Sequence, residues 1–482
     1  MELLNKGGEQ KLFKLFGHFS IVYLTFFSSL LYSASFEDFK KSQMSSFTKY
    51  VDERDSKFKS YLDQQFLEYK SFLSEPLYEK AKPRRMSATK AKPVKNAGPR
   101  IKIKLKDIVK EQDVGTVPAD VKKDIEFIFF GTKVGFNYDL KIKNAKFYPL
   151  NQKGIANFFE VLASSDYSYI IEQIQKSAKD MNLNDWGLYL LVNQISSQIF
   201  LNQDDADILS WFLFNKLGFD VRVGIASRHI VLMHYSEKTI YSTPNFKFGD
   251  KKFYVIANYA KGSLGSVYSY EQGYPDATKS IDLALVELPK FSLDKRKKVL
   301  SFKEFGKKYQ LTYDYNQNLI DFMATYPQAD YQTYFNAPLD KMTYISVATG
   351  LKKYVDNKQA SSAINFVLHF VQNAFEYQVD QKQFSREKVM FANETLYYDK
   401  SDCEDRAILF SSLVKKMFKI RVLGVKYSDH MSTALYIPLK GDYIKIKSKK
   451  FVLADPTYIN SNIGQSMPRY KSVIPDSYII IK

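Results

Sequence analysis

An α+β fold built twice is what this 482-residue sequence predicts, and three observations predict it. Apolar residues at helical spacing fill residues 154–200 and 204–217, and short β-type runs follow at 221–226, 229–234 and 253–257. The same order returns with helical patterns at 360–377 and 402–418, then β runs at 420–427, 430–437 and 451–454. Helices feeding an antiparallel sheet make an α+β unit rather than an alternating α/β one. An ungapped alignment of residues 204–226 with 403–425 pairs Lys216 with Lys415, Phe219 with Phe418, Arg222 with Arg421 and Val223 with Val422. Those identities are few, so the repeated order of elements carries the duplication.

At this length two to four domains are expected, each able to bury a core. Hydrophobic residues make up 45% and aromatics 16%, which suits globular domains rather than disorder. The formal charge of +18 comes from Lys scattered among Phe, Tyr and Asp, so the basic excess is diluted. There is no zinc-finger spacing, no RNP-like aromatic box and no basic DNA-reading helix, and nucleic acid is not an expected partner. Anionic cell-envelope polymers and lipid headgroups suit the charge better.

Lys6, Lys11 and Lys14 precede an apolar run at 19–31 that ends in Tyr-Ser-Ala-Ser, so residues 1–35 read as a secretory signal peptide or an N-terminal anchor. The run is short of the ~20 residues a spanning helix needs, and a periplasmic protein, cut free or tethered to the inner membrane, is expected. From Phe36 an aromatic pair recurs every eleven residues: Phe36/Phe39, Phe47/Tyr50, Phe58/Tyr61 and Tyr69/Phe72. Eleven residues make three turns at 3.67 per turn, which predicts one helix over 36–75 with a single aromatic stripe. That stripe suits either association with a partner or packing on the protein's own domains. Residues 76–100 form a Pro-rich basic linker, ten Lys or Arg and no acid lying between 80 and 104. A small β-rich region at 101–150, the first copy at 151–275, a connecting region at 276–344 and the second copy at 345–482 complete the expected order.

Exported proteins usually pair their cysteines, yet Cys403 is the sole cysteine. Ser401 to Glu404 read as a capping box with Ser401 as N-cap, which sets Cys403 at the second position of a helix. There the helix dipole favours the nucleophilic thiolate, while acids at 402, 404 and 405 oppose it, so a cationic partner is required. Histidines stand at 18, 229, 234, 369 and 430, and His430 opens a strand 27 residues after the cysteine. It is the natural general base, and Asp455, at the end of the last strand, is placed to orient its imidazole. In the first copy the alignment sets Asp204 in the cysteine's place, with His229 near the position of His430, which predicts a copy that does not react.

Phe375-Glu376-Tyr377, Asp402-Cys403-Glu404-Asp405, His430 and Leu453-Ala454-Asp455-Pro456-Thr457 follow one another in an order that resembles the transglutaminase-like superfamily, as an exported bacterial member. The resemblance covers about residues 345–475. It implies two papain-like domains, the first degenerate, and a Cys403-His430-Asp455 triad that forms a thioester with an amide substrate. The superfamily includes crosslinking acyltransferases, cysteine peptidases and deglycosylating amidases. Many members of the superfamily carry a Trp beside the active site that helps the oxyanion, whereas here Trp occurs only at 186 and 211, outside the catalytic half, so the resemblance implies hydrolysis of a peptide or protein over crosslinking. No cofactor and no metal is expected. The competing reading from another class is a non-catalytic envelope scaffold, or a peptide-binding protein, built on the same domains.

Overall fold

A computed structural model describes residues 38, 40–64, 66–78, 82, 86–87, 96–103, 105, 122–258, 262 and 264–482. The expected signal segment and most of the basic linker lie outside these residues. Among the described residues no helix is long and apolar enough to cross a membrane.

Helix α1 occupies residues 40–62, and strands β1 (Leu67–Lys70) and β2 (Phe72–Leu73) follow it. The helix expected over 36–75 is therefore cut short. Tyr69 and Phe72, read as its fourth aromatic pair, lie on strands instead. The edges of a sheet offer these residues a full ladder: β1 pairs with β9 (Ser266–Ser269) and β2 with β7 (Pro244–Phe248). The stripe itself divides. Phe58 and Leu62 are buried, whereas Phe47 and Tyr50 stay exposed.

A hairpin, β3 (Ile125–Phe129) and β4 (Thr132–Phe136), leads into α2 (Gln152–Ala163), α3 (Tyr167–Asp180), α4 (Asp185–Ile199) and α5 (Gln203–Lys216). Asn151, Asn184 and Asn202 begin α2, α4 and α5, each side-chain oxygen accepting an N–H that the first turn leaves unpaired. Then come β5 (Val221–Ala226), β6 (His229–Tyr235), β7, β8 (Lys251–Tyr254) and β9. The connecting region holds a hairpin of two ten-residue strands, β10 (Lys295–Glu304) and β11 (Lys307–Asn316), with α6 (Gln317–Ala324) and α7 (Tyr331–Asn336). The last part runs α8 (Lys341–Val355), α9 (Ala360–Ala374), β12 (Glu376–Tyr377), α10 (Asp380–Gln383), α11 (Ala392–Tyr397), β13 (Lys400–Ser401) and α12 (Cys403–Phe418). It ends with β14 (Val422–Tyr427), β15 (His430–Leu435), β16 (Tyr443–Ile446), β17 (Lys449–Ala454) and β18 (Ser477–Ile480). The chain is thus a mixed α+β protein.

The two large sheets repeat one topology. The first runs β1-β9-β5-β6-β8-β7-β2, and its inner strands β9-β5-β6-β8-β7 match β18-β14-β15-β17-β16 of the second in order and connection. The same hairpin closes each pair, with Ala226 facing His229 and Tyr427 facing His430. This geometry corrects the ungapped alignment. Asn202 and Asp402 are the N-caps of α5 and α12, so Gln203, not Asp204, stands in the place of Cys403, and Asp204 matches Glu404. In that register Asp205/Asp405, Ile208/Ile408, Leu209/Leu409, Leu213/Leu413 and Lys216/Lys416 are identical. The buried carboxylate is used alike in both copies: Asp205 accepts the N–H of Phe147 and Asp405 that of Met390, each at 2.8 Å.

Helix α1 is held on the first copy by Phe58, whose ring meets Phe159, Trp211, Tyr270 and Tyr274 with centroids 5.1–6.2 Å apart. Buried Lys216 reaches Asp55 of α1 at 2.5 Å. Phe58→Ala should therefore cost about 3–5 kcal/mol of stability, the usual loss for a buried Phe truncated to Ala. Urea unfolding followed by circular dichroism measures it, and a loss below about 1 kcal/mol would mean that α1 is not part of the cooperative fold.

Candidate active site

Three elements meet at Cys403. Helix α12 begins with it, and the N-cap is Asp402 rather than the expected Ser401. Ser401 lies on β13, in parallel register with Tyr377 of β12, and its Oγ accepts Arg406 Nε at 3.0 Å. With Ser401 engaged in the ladder, the cap falls one residue later. Asp405 then accepts the Asp402 N–H at 3.2 Å, and Cys403 becomes the first helical residue.

Asp402, Cys403, Glu404, Asp405 and Arg406 are all fully buried. Arg406 anchors the helix start to the end of α9 by donating to the carbonyls of Gln372 and Phe375 at 3.2 and 2.8 Å. The cation that the sequence requires comes from the basic linker. Lys82 Nζ lies 2.5 Å from Glu404, 2.6 Å from Glu387, 2.7 Å from Asp402 and 3.2 Å from Asp380. Burial works against the Lys82 charge, but Asp402, Glu404, Asp380 and Glu387 outweigh it and hold the ammonium above the usual lysine range. Four carboxyl groups around one ammonium leave an excess of negative charge. Burial, then Asp402, pushes Asp380 up to about 8 and Glu404 well above the usual carboxylic range.

The thiol takes part in this network. Cys403 Sγ donates to Glu404 Oε2 at 3.1 Å, and the same oxygen accepts the Tyr78 hydroxyl at 3.2 Å. Tyr78 Oη also lies 3.9 Å from the sulfur. Burial raises the thiol well above its ordinary value, and Glu404 and Asp402 add to the shift. At the helix terminus, then, desolvation and two carboxyl groups outweigh the dipole, and Cys403 is a neutral thiol in this state.

His430 opens β15, the strand on which α12 packs, and is fully buried. Its Nε2 pairs with Asp455 Oδ2 at 2.8 Å, while Nδ1 has no hydrogen-bond partner among the described residues. Asp455 follows β17 and is itself fixed, its Oδ1 accepting the N–H groups of Thr457 and Tyr458 at 2.9 and 3.1 Å. The Tyr470 ring lies nearly parallel on the imidazole, 4.9 Å away at 14°. Burial and then Asp429 raise the Tyr470 hydroxyl. The structure thus brings His430 and Asp455 into contact. It keeps Cys403 on the facing helix, bonded to Glu404 and not to His430.

The other described histidines are otherwise engaged. His234 is enclosed by Tyr189 and Phe214, where burial pushes it down to about 3. His369 bridges Glu304 and the Ser461 carbonyl. His229 is exposed and meets Asp204 Oδ2 at 3.2 Å, and β8 is followed by Val255, Ile256 and Ala257 where β17 is followed by Asp455. His18 lies outside the described residues. Sequence reading missed Tyr78, Lys82 and Tyr470, and nothing in the run of ten cations distinguishes Lys82 from its neighbours. As for metals, ligand atoms of Asp380, Asp402 and Glu404 converge to within 4.8 Å of one another, and the Lys82 ammonium sits among them.

In the folded protein, iodoacetamide should label Cys403 more slowly than free cysteine, with a pH midpoint above the ~8.5 of a free thiol. In denaturant the rate should return to that of free cysteine. Intact-mass spectrometry reads both, and a native midpoint below ~8.5 would contradict the neutral thiol.

No family model and no curated protein matches this chain. Among solved structures, it was matched to a candidate cysteine protease from Cytophaga hutchinsonii at 14% identity and a TM-score of 0.19, over 39% of this chain and 74% of that one. A likeness at that score carries no argument about fold or chemistry.

Proposed function

We propose that this chain is an exported thiol enzyme of two transglutaminase-like domains, the second of which cleaves amide bonds of peptide or protein substrates through a thioester on Cys403. The observation that carries this reading is the His430–Asp455 pair. It occupies Nε2 and leaves Nδ1 without a partner among the described residues, in a buried imidazole on the strand packed under the helix that Cys403 begins. Asp455 fixes the tautomer in which Nδ1 accepts a proton and also stabilises the imidazolium. A parallel tyrosine ring fixes the imidazole plane.

In the reaction, Sγ attacks the carbonyl carbon as the thiol proton passes to Nδ1 of His430. The negative oxygen of the tetrahedral intermediate is received by the Cys403 N–H, which as the first of its helix has no partner within it. The C–N bond then breaks, and His430 returns the proton to the leaving amine. Water attacks the thioester, releases the acid and restores the thiol. An amine in place of water would give transfer instead, and the absence of Trp from residues 345–482 favours water.

The first copy serves as a binding partner of the second, because Gln203 stands where a nucleophile is needed and no carboxylate follows β8. Export rests on residues 1–35. Anionic envelope polymers suit the basic linker, and the exposed Phe47 and Tyr50 suit association through α1. A second reading, a non-catalytic scaffold or peptide-binding protein, is favoured by one observation: the Cys403 thiol is fully buried and bonded to Glu404.

Incubation with a peptide mixture and a dansylated alkylamine separates these readings. Mass spectrometry should find cleaved peptides in excess of amine adducts. Both products should vanish in Cys403→Ala, which exchanges one small buried residue for another and should fold normally. Products that persist in that variant would reject the thiol mechanism. Asp455→Asn should fall by roughly 10²–10⁴-fold in kcat, because the amide orients His430 but stabilises imidazolium poorly. An unchanged kcat would remove Asp455 from the mechanism.

A further inference from the structure

The residues that cover Cys403 come from far away in the chain, and they cross the site from one wall to the other. Tyr78 contacts the thiol and Glu404 on the α12 side. Lys82 enters the carboxylate pocket. Met86 packs against the apolar cluster of the second sheet and its carbonyl accepts the N–H of Ile459 at 3.1 Å, and Ser87 pairs in parallel with Ile459, four residues beyond Asp455. Backbone pairing to one wall with a side chain seated in a pocket is how an extended peptide is recognised in trans.

The pocket suits an ammonium. Asp402 and Glu404 flank Cys403 in sequence, so a group seated between them lies next to the nucleophile. Lys82, Asp380, Asp402 and Glu404 side chains are at most 5% exposed, so the ion pairs are desolvated. The ring of Tyr78 completes the enclosure, 4.7 Å from Nζ. With four carboxyl groups to one ammonium, the pocket without Lys82 would hold strongly unfavourable buried charge and so would demand another cation.

We propose that this carboxylate pocket is a recognition site for the alkylammonium side chain of an extended peptide, and that Lys82 fills it in cis and keeps Cys403 latent. The substrate class is then a peptide or peptide-bearing polymer with a primary amine close to the scissile amide. That consequence rests on the enzyme reading, whereas the pocket and its occlusion do not.

Iodoacetamide labelling of the full chain tests it without any turnover. Lys82→Ala should label at Cys403 on the order of 10²-fold faster than wild type, because the loosened cover exposes the sulfur by more than the lost ammonium raises its pKa. Millimolar n-butylammonium should slow that labelling and raise the Tm of Lys82→Ala, and n-butanol should do neither. Butanol acting like the amine would overturn ammonium recognition. So would rescue by Mg²⁺ or Ca²⁺ but not by the amine, which would assign the pocket to a metal. If Lys82→Ala folds only with n-butylammonium, the site stands. If it does not fold at all, Tyr78→Ala decides, since it keeps every charge paired: faster labelling sustains the occlusion and an unchanged rate rejects it. Rapid labelling in these variants with no cleavage of any peptide would overturn the enzyme reading and leave the pocket in place.

Discussion

Buried negative charge at the start of α12 governs the second half of this molecule. Asp402, Glu404 and Asp405 follow one another around Cys403, all without solvent contact. Each isolated carboxylate in such a place costs several kcal/mol after relaxation. The fold answers in three ways. Asp405 is bound by the N–H groups of Asp402 and Met390. Asp380 and Glu404 are pushed toward their protonated forms. Lys82 is drawn in from a distant part of the chain. The third answer bears on the proposed function, because Tyr78, four residues before the ammonium in sequence, lies against the thiol.

The duplicated topology shows how much of the site belongs to the skeleton and how much to a few substitutions. Both copies present a capped helix, a histidine opening the second strand and an aspartate in the helix's first turn that binds a distant N–H. In the first copy the acid next to the cap position, Asp204, bonds to an exposed His229 and to the N–H of Ile230, so water shares the work of stabilising it. In the second copy the matching Glu404 is sealed off, and protein groups must do everything that water does in the first. The N-terminal part serves both. Its helix and two strands clamp the first sheet at both edges, and Tyr78, Lys82, Met86 and Ser87 contact the second copy.

In the proposed enzyme, latency and chemistry are compatible because the histidine side and the thiol side of the site are held by separate contacts. His430, Asp455 and Tyr470 are held together by hydrogen bonds and ring stacking that do not involve Lys82. The thiol is held by Glu404, which Lys82 also holds. Departure of the ammonium would return water to the helix start but would also remove a charge that lowers the thiol, so the thiolate is favoured only when another cation takes the place of Lys82.

Sequence alone determined the elements and their order, because periods of 3.6 and 2 report which faces are buried wherever the pattern is long. Helices α2 to α5, the hairpin of β5 and β6, and α12 with β14, β15 and β17 lie within a few residues of their expected positions. Cys403, His430 and Asp455 were legible as candidates from type and order on those elements. Three features needed the tertiary structure. Tyr69 and Phe72 continue an eleven-residue repeat, yet strand pairing to two sheet edges overrides it, since local periodicity carries no information about available edges. The cap moved from Ser401 to Asp402 because β13 claims Ser401, and with it went the alignment of Asp204 to the cysteine. Lys82 looks like nine other cations around it, and only a carboxylate pocket about 300 residues away, closed by folding, selects it.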